Sequence, residues 1–95
     1  MAHIDLSRPH DLGPEAARSA ADAVAGRLSD ELGLQTRWDG DRLLFEGSGL
    51  TRGVAGHLQA GADTIRVALD LPLKLRPLRR KIEQEIRNGL DTAIG

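Results

Sequence analysis

Cysteine is absent from the 95-residue chain, which excludes a disulfide framework, a thiolate metal site and a cysteine nucleophile together. Aromatic side chains are almost as scarce: Trp38 and Phe45 stand alone, with no tyrosine. Surfaces that stack the bases of single-stranded nucleic acid need more rings than this. Neither sign of charge prevails, because 13 Lys and Arg oppose 14 Asp and Glu. The molecule as a whole therefore has no field to draw it to nucleic acid or to an acidic membrane, and nucleic acid is not an expected partner. No run approaches the ~20 apolar residues of a membrane span. The opening Met-Ala-His-Ile-Asp-Leu lacks the basic segment and apolar run of a signal peptide. A cytoplasmic, soluble protein with no transmembrane segment is the expectation.

What is present is an ordinary apolar content of 40%, enough for a folded core. A chain of this length buries roughly 60–70% of its unfolded surface, which suits one sheet, two helices and a single domain over residues 1–95. The organising stretch runs from Ile65 to Ile94. Ile65, Val67, Leu69 and Leu71 alternate with polar or small residues as in a half-buried strand. Leu78, Ile82, Ile86 and Leu90 then repeat at helical spacing, with Pro77 in the first turn. A period-two face followed by a helical stripe requires sheet and helix to bury each other.

Upstream, residues 2–7 alternate as a short strand, and Arg8 to Gly13 reads as a connector because Pro9 lacks a ladder donor. A helix is predicted from Pro14 to Leu32, stopped by Gly33, with Ala17, Ala20, Ala21, Val24, Leu28 and Leu32 inward. Arg18 and Asp22 should point away. The alanines allow either close approach to a sheet or space beneath the helix. Gln35–Trp38 and Arg42–Glu46 flank Asp39-Gly40, a strong hairpin signal. Further strands are predicted from Val54 to Ala60 and from Thr64 to Leu71, with Gly56 weakening the first. The order is β-α-β-β-β-β-α. The fold class is α+β, a single antiparallel sheet with both helices on one face. Arg37, Arg42, His57, Gln59 and Arg66 fall on the opposite face, which leaves room for a homodimer through face or edge.

Candidate chemistry is sparse. His3, His10 and His57 have no second ligand at metal-binding spacing; His10 suits local backbone bonding, and no metal or cofactor is expected. Ser48 in Gly47-Ser48-Gly49 lacks the strand-to-helix turn of a nucleophile elbow, so turn chemistry explains it. The sharpest anomaly is basic. Lys74, Arg76, Arg79, Arg80 and Lys81 interleave with Leu73, Leu75 and Leu78 at the start of a helix, where the macrodipole disfavours cations. Either these charges are solvated and paired with Glu83 and Glu85, or the segment binds an anionic surface. Lys74, Arg76, Arg79, Arg80, Lys81, Leu73 and Leu75 are the candidate binding residues.

Three segments carry a resemblance: His10-Asp-Leu-Gly before an Ala/Arg-rich helix, Trp38-Asp-Gly-Asp-Arg-Leu-Leu-Phe-Glu-Gly-Ser-Gly, and Leu71-Pro-Leu-Lys-Leu-Arg-Pro-Leu-Arg-Arg-Lys-Ile-Glu-Gln-Glu-Ile. Together they resemble the polyhydroxyalkanoic acid system family, small bacterial proteins associated with polyhydroxyalkanoate synthesis genes and granules. The resemblance implies a cytoplasmic accessory protein of storage-polyester metabolism, with the granule surface or granule proteins as partners. It implies no catalytic residue. The stretch from Gly53 to Ala62 departs from it in being richer in Gly and Ala. The C-terminal pattern is also similar to a shortened helix-grip fold, a sheet wrapping a long final helix, an analogy of fold alone. Three functions follow as alternatives: a non-catalytic granule-docking or regulatory protein, a carrier of acyl or hydroxyacyl ligands beneath the alanines, and a thioesterase-like enzyme. The last lacks an assembled acid, base or nucleophile.

Overall fold

The computed structural model describes residues 3–94. Five strands, β1 (Ile4–Pro9), β2 (Gln35–Asp39), β3 (Arg42–Glu46), β4 (Ala55–Ala60) and β5 (Thr64–Asp70), form one sheet. Helices α1 (Gly13–Leu32) and α2 (Arg79–Ile94) complete an α+β fold in the expected order. Strands lie in the order β1-β5-β4-β3-β2, each neighbour antiparallel. α1 thus carries the chain from one edge of the sheet to the other, and the meander brings it back beside β1.

The core forms where both helices meet the sheet. Val24 and Leu28 of α1, Ile82, Ile86 and Leu90 of α2, and Leu43, Phe45, Leu58, Val67 and Leu69 of the sheet pack together. Ala17, Ala20, Ala21 and Ala25 are all buried. Their small side chains let α1 approach closely, which settles the choice between contact and space. The two helices also meet at Gly89, where an added Cβ would stand 3.2 Å from Arg27 Cδ and 3.7 Å from Val24 Cγ1.

Several boundaries differ from expectation for identifiable reasons. The predicted start of β1 at residue 2 lies outside the described residues. At its other end β1 continues through Arg8 and Pro9, which pair with Ile65 and Thr64; on an edge strand the missing Pro9 donor would have faced solvent. The first hairpin turns on Gly40 and Asp41 rather than Asp39 and Gly40, because Asp39 pairs with Arg42. Gly40 alone has positive φ there, at 65°, the pattern of a turn with glycine in its first central position. Leu71 and Val54 lie just outside β5 and β4 yet remain buried.

The largest correction concerns Pro77. It lies within a 3-10 helix, Leu73–Leu78, and α2 starts only at Arg79. At three residues per turn the helical stripe does not extend back to Leu78, which is 47% exposed. Leu32, expected inside, is likewise only half-buried. Arg18 and Asp22 do not simply point away: Arg18 stacks 3.8 Å from the Trp38 ring centre. Trp38 Nε1 donates to Asp22 Oδ1 at 2.7 Å. The single tryptophan thereby ties edge strand β2 to α1.

Candidate functional site

The chain between β5 and α2 decides where the basic residues stand. Pro72 holds an extended conformation, Leu75 N–H donates to its carbonyl at 2.9 Å, and the 3-10 helix leads directly into α2. Leu75 is the anchor, 9% exposed and part of the core. It belongs to the fold and cannot itself enter a foreign surface without leaving that core. Leu73, by contrast, is 75% exposed. Lys74, Arg76, Arg79, Arg80 and Lys81 are all exposed.

The carboxylates expected to neutralise this cluster are engaged elsewhere. Glu83 pairs with Arg87 at 3.1 Å and Glu85 with Arg27 at 3.5 Å. The second pair is close enough to attract but poorly aligned, since neither Arg27 Nε nor Glu85 Oε2 makes a hydrogen bond. Among the described residues, none of the five cations forms an ion pair. Five unneutralised charges thus crowd the positive end of α2, where the helix dipole opposes them.

Beside them lies a cleft of about 390 Å3, floored by Leu32, Leu75 and Ile82 and lipped by Leu50 and Leu78. Sequence reasoning missed Leu50, which is 91% exposed. The signal was a large apolar residue within the otherwise small and polar run Gly47-Ser-Gly-Leu-Thr-Arg-Gly. A second, wider trough of about 830 Å3 crosses the outer sheet face by Arg37, Leu44, Glu46, Arg52 and Ala55. Neither concavity touches the alanine half of α1.

The remaining candidates resolve into structural roles. His10 Nδ1 accepts from Leu12 N–H at 3.2 Å, which leaves Nε2 to donate to the Gly61 carbonyl at 2.9 Å. It fastens the start of α1 to the turn between β4 and β5. His3 Nδ1 accepts from Leu71 N–H at 2.9 Å. Ser48 Oγ donates to the Gly33 carbonyl at 3.0 Å, and its backbone exchanges bonds with the Thr51 hydroxyl. Among the described residues no group of His, Asp and Glu is arranged to hold a metal.

On the outer face, register places Arg37, Arg42, His57, Gln59 and Arg66 together as expected. Arg66 is also held by Asp5 through two bonds, Nε to Oδ1 at 3.0 Å and Nη2 to Oδ2 at 2.6 Å. These hydrogen bonds hold the Asp5 carboxyl below its usual range; the loss of some hydration opposes them, and the charges of Arg66 and His57 add smaller attractions. A carboxyl with a lowered native pKa stabilises the fold above its unfolded value, about 3.9. That contribution disappears as pH falls through the lowered native value. Melting temperatures followed from pH 5 to about pH 2 should therefore drop less steeply for Asp5→Asn than for the parent.

The model of a family described as "Putative polyhydroxyalkanoic acid system protein" matches residues 4–94. The chain belongs to that family. The match takes in every strand and both helices, so the basic segment, the cleft and the outer face are all parts of the family's domain. No curated protein and no solved structure matches the chain. None of the described helices is long and apolar enough to cross a membrane. The family's description is consistent with an accessory role in a polyhydroxyalkanoic acid system.

Proposed function

We propose that the protein is a non-catalytic accessory factor of polyhydroxyalkanoate metabolism that docks, from the cytoplasm, on the granule surface. One observation carries the reading: five exposed cations, without ion-pair partners among the described residues, interleave with the exposed Leu73 and Leu78. Burying a leucine contributes about 1.5–3 kcal/mol. A basic residue close to an anionic surface contributes about 1 kcal/mol. A few leucines and five cations therefore support reversible interfacial binding without an inserted helix. Leu75 serves as the internal anchor that holds the segment in place, and Leu50 joins the apolar contact. No catalytic residue is assigned.

Replacing Lys74, Arg76, Arg79 and Arg80 together by Glu should lower co-sedimentation with isolated granules by at least roughly tenfold. All four are exposed, so the thermal melt of the variant should stay close to that of the parent. Undiminished co-sedimentation of this folded variant would reject the docking segment. Binding by the parent should also weaken as salt is raised, as expected for exposed charges.

A further inference from the structure

Docking on a broad surface makes no use of the cleft between Leu50 and Leu78. We infer that this cleft binds the single hydrocarbon chain of an anionic amphiphile, such as a medium-chain fatty acid carboxylate. Its floor, Leu32, Leu75 and Ile82, and its lips are aliphatic, and with Glu31, Thr51, Lys81 and Glu85 they line an open cleft of about 390 Å3. Small-ligand sites span roughly 300–1,000 Å3, so this space suits one chain better than a polycyclic ring system or an amphipathic helix. Leu50 and Leu78 keep apolar surface in water, and a chain laid between them would cover both.

Charge selects the head group and its orientation. Lys81 is the basic residue of the cleft lining; Arg79 and Arg80 share its first turn of α2 without lining the cleft. That turn is also the positive end of the helix dipole. Two carboxylates line the cleft as well. Glu85 faces Arg27 at 3.5 Å, whereas Glu31 lies in the last turn of α1, at the negative end of that dipole. An anionic head therefore sits toward Lys81 and away from Glu31, with the chain passing between the leucine lips. This site shares Leu50, Leu78 and Lys81 with the docking surface but requires no granule, since it takes one chain and not a layer of them.

The test uses decanoate below its micelle concentration, with no surface present, titrated into the full chain labelled at its Leu and Ile methyl groups. Saturable shifts confined to Leu32, Leu50, Leu75, Leu78 and Ile82 are expected. Decanol should bind roughly tenfold more weakly, and decylammonium more weakly still. A double variant, Leu50→Glu with Leu78→Glu, should lose decanoate binding at least tenfold while melting as the parent does, since both side chains are exposed. Absent or unsaturable shifts, shifts spread over the whole molecule, or equal binding of all three head groups would overturn the inference. So would retained binding by the double variant, or cleft shifts that follow protein concentration without ligand and so mark a second copy as the occupant. A failed titration leaves granule docking by the parent untouched, and lost docking by the charge-reversed protein leaves decanoate binding to the parent untouched.

Discussion

Gly56→Val should unfold the protein at temperatures where the parent is fully folded. Gly56 sits in β4, an interior strand, between Phe45 of β3 and Leu69 of β5. A Cβ built there would collide with the Ala68 carbonyl oxygen and stand 2.6 Å from Leu69 Cδ2 and 2.8 Å from Leu69 Cα. A flexible side chain could swing aside, but the backbone of a paired strand cannot without breaking its ladder. Overpacking of this kind costs about 3 kcal/mol or more, against a total stability of about 5–15 kcal/mol for a natural domain. At roughly 4–8 °C per kcal/mol for a domain near this size, the melting temperature should fall by more than about 10 °C, read by circular dichroism. Gly26→Ala provides the contrast. It lies exposed in α1 with nothing near its would-be Cβ, and alanine there should stabilise by about 0.5–1 kcal/mol.

The second large effect separates two members of one predicted stripe. Ile86→Ala should cost about 2–5 kcal/mol, because Ile86 is fully buried between α2, α1 and the sheet. Leu78→Ala should cost less than about 1 kcal/mol, since a half-exposed side chain leaves little cavity. Equilibrium urea unfolding of both variants decides the matter. Equal losses would mean that α2 begins at Pro77 after all and that Leu78 belongs to the core. The comparison also bears on function, since Leu78 is free to contact a ligand only if it is dispensable to the fold.

Strong periodicity made most of this architecture legible. The alternation from Ile65 to Leu69 and the spacing of Ile82, Ile86 and Leu90 placed those side chains in the core, where they are found. Gly33 ends α1 in the left-handed conformation, at φ 68°, as a stop signal should. Errors arose where a local rule met a tertiary fact. Pro9 looked like a strand breaker because nothing local shows that β1 lies at an edge. Pro77 looked like a helix start because one proline fits the first turn of either helix type. The candidate site was legible in its charges and in the exposed Leu73 beside them. Its cleft brings together Leu32, Leu50 and residues 75–85, three segments remote in sequence, and no window of sequence reveals such a meeting. Leu75 and Leu78 also looked alike in sequence, yet one anchors the segment and the other faces outward.

Because β1 pairs with β5 across more than half the chain length, Ile4 opposite Leu69, the two halves of the sheet cannot be completed in the order of synthesis. A nascent chain still lacking residues 64–70 has no partner strand to receive its first six-residue strand, so that segment must wait, its apolar side uncovered. Translation alone takes seconds for such a stretch. The finished sheet closes only when its last strand arrives, and a product cut short before β5 would expose Ile4 and Leu6 as a ready target for proteases or chaperones.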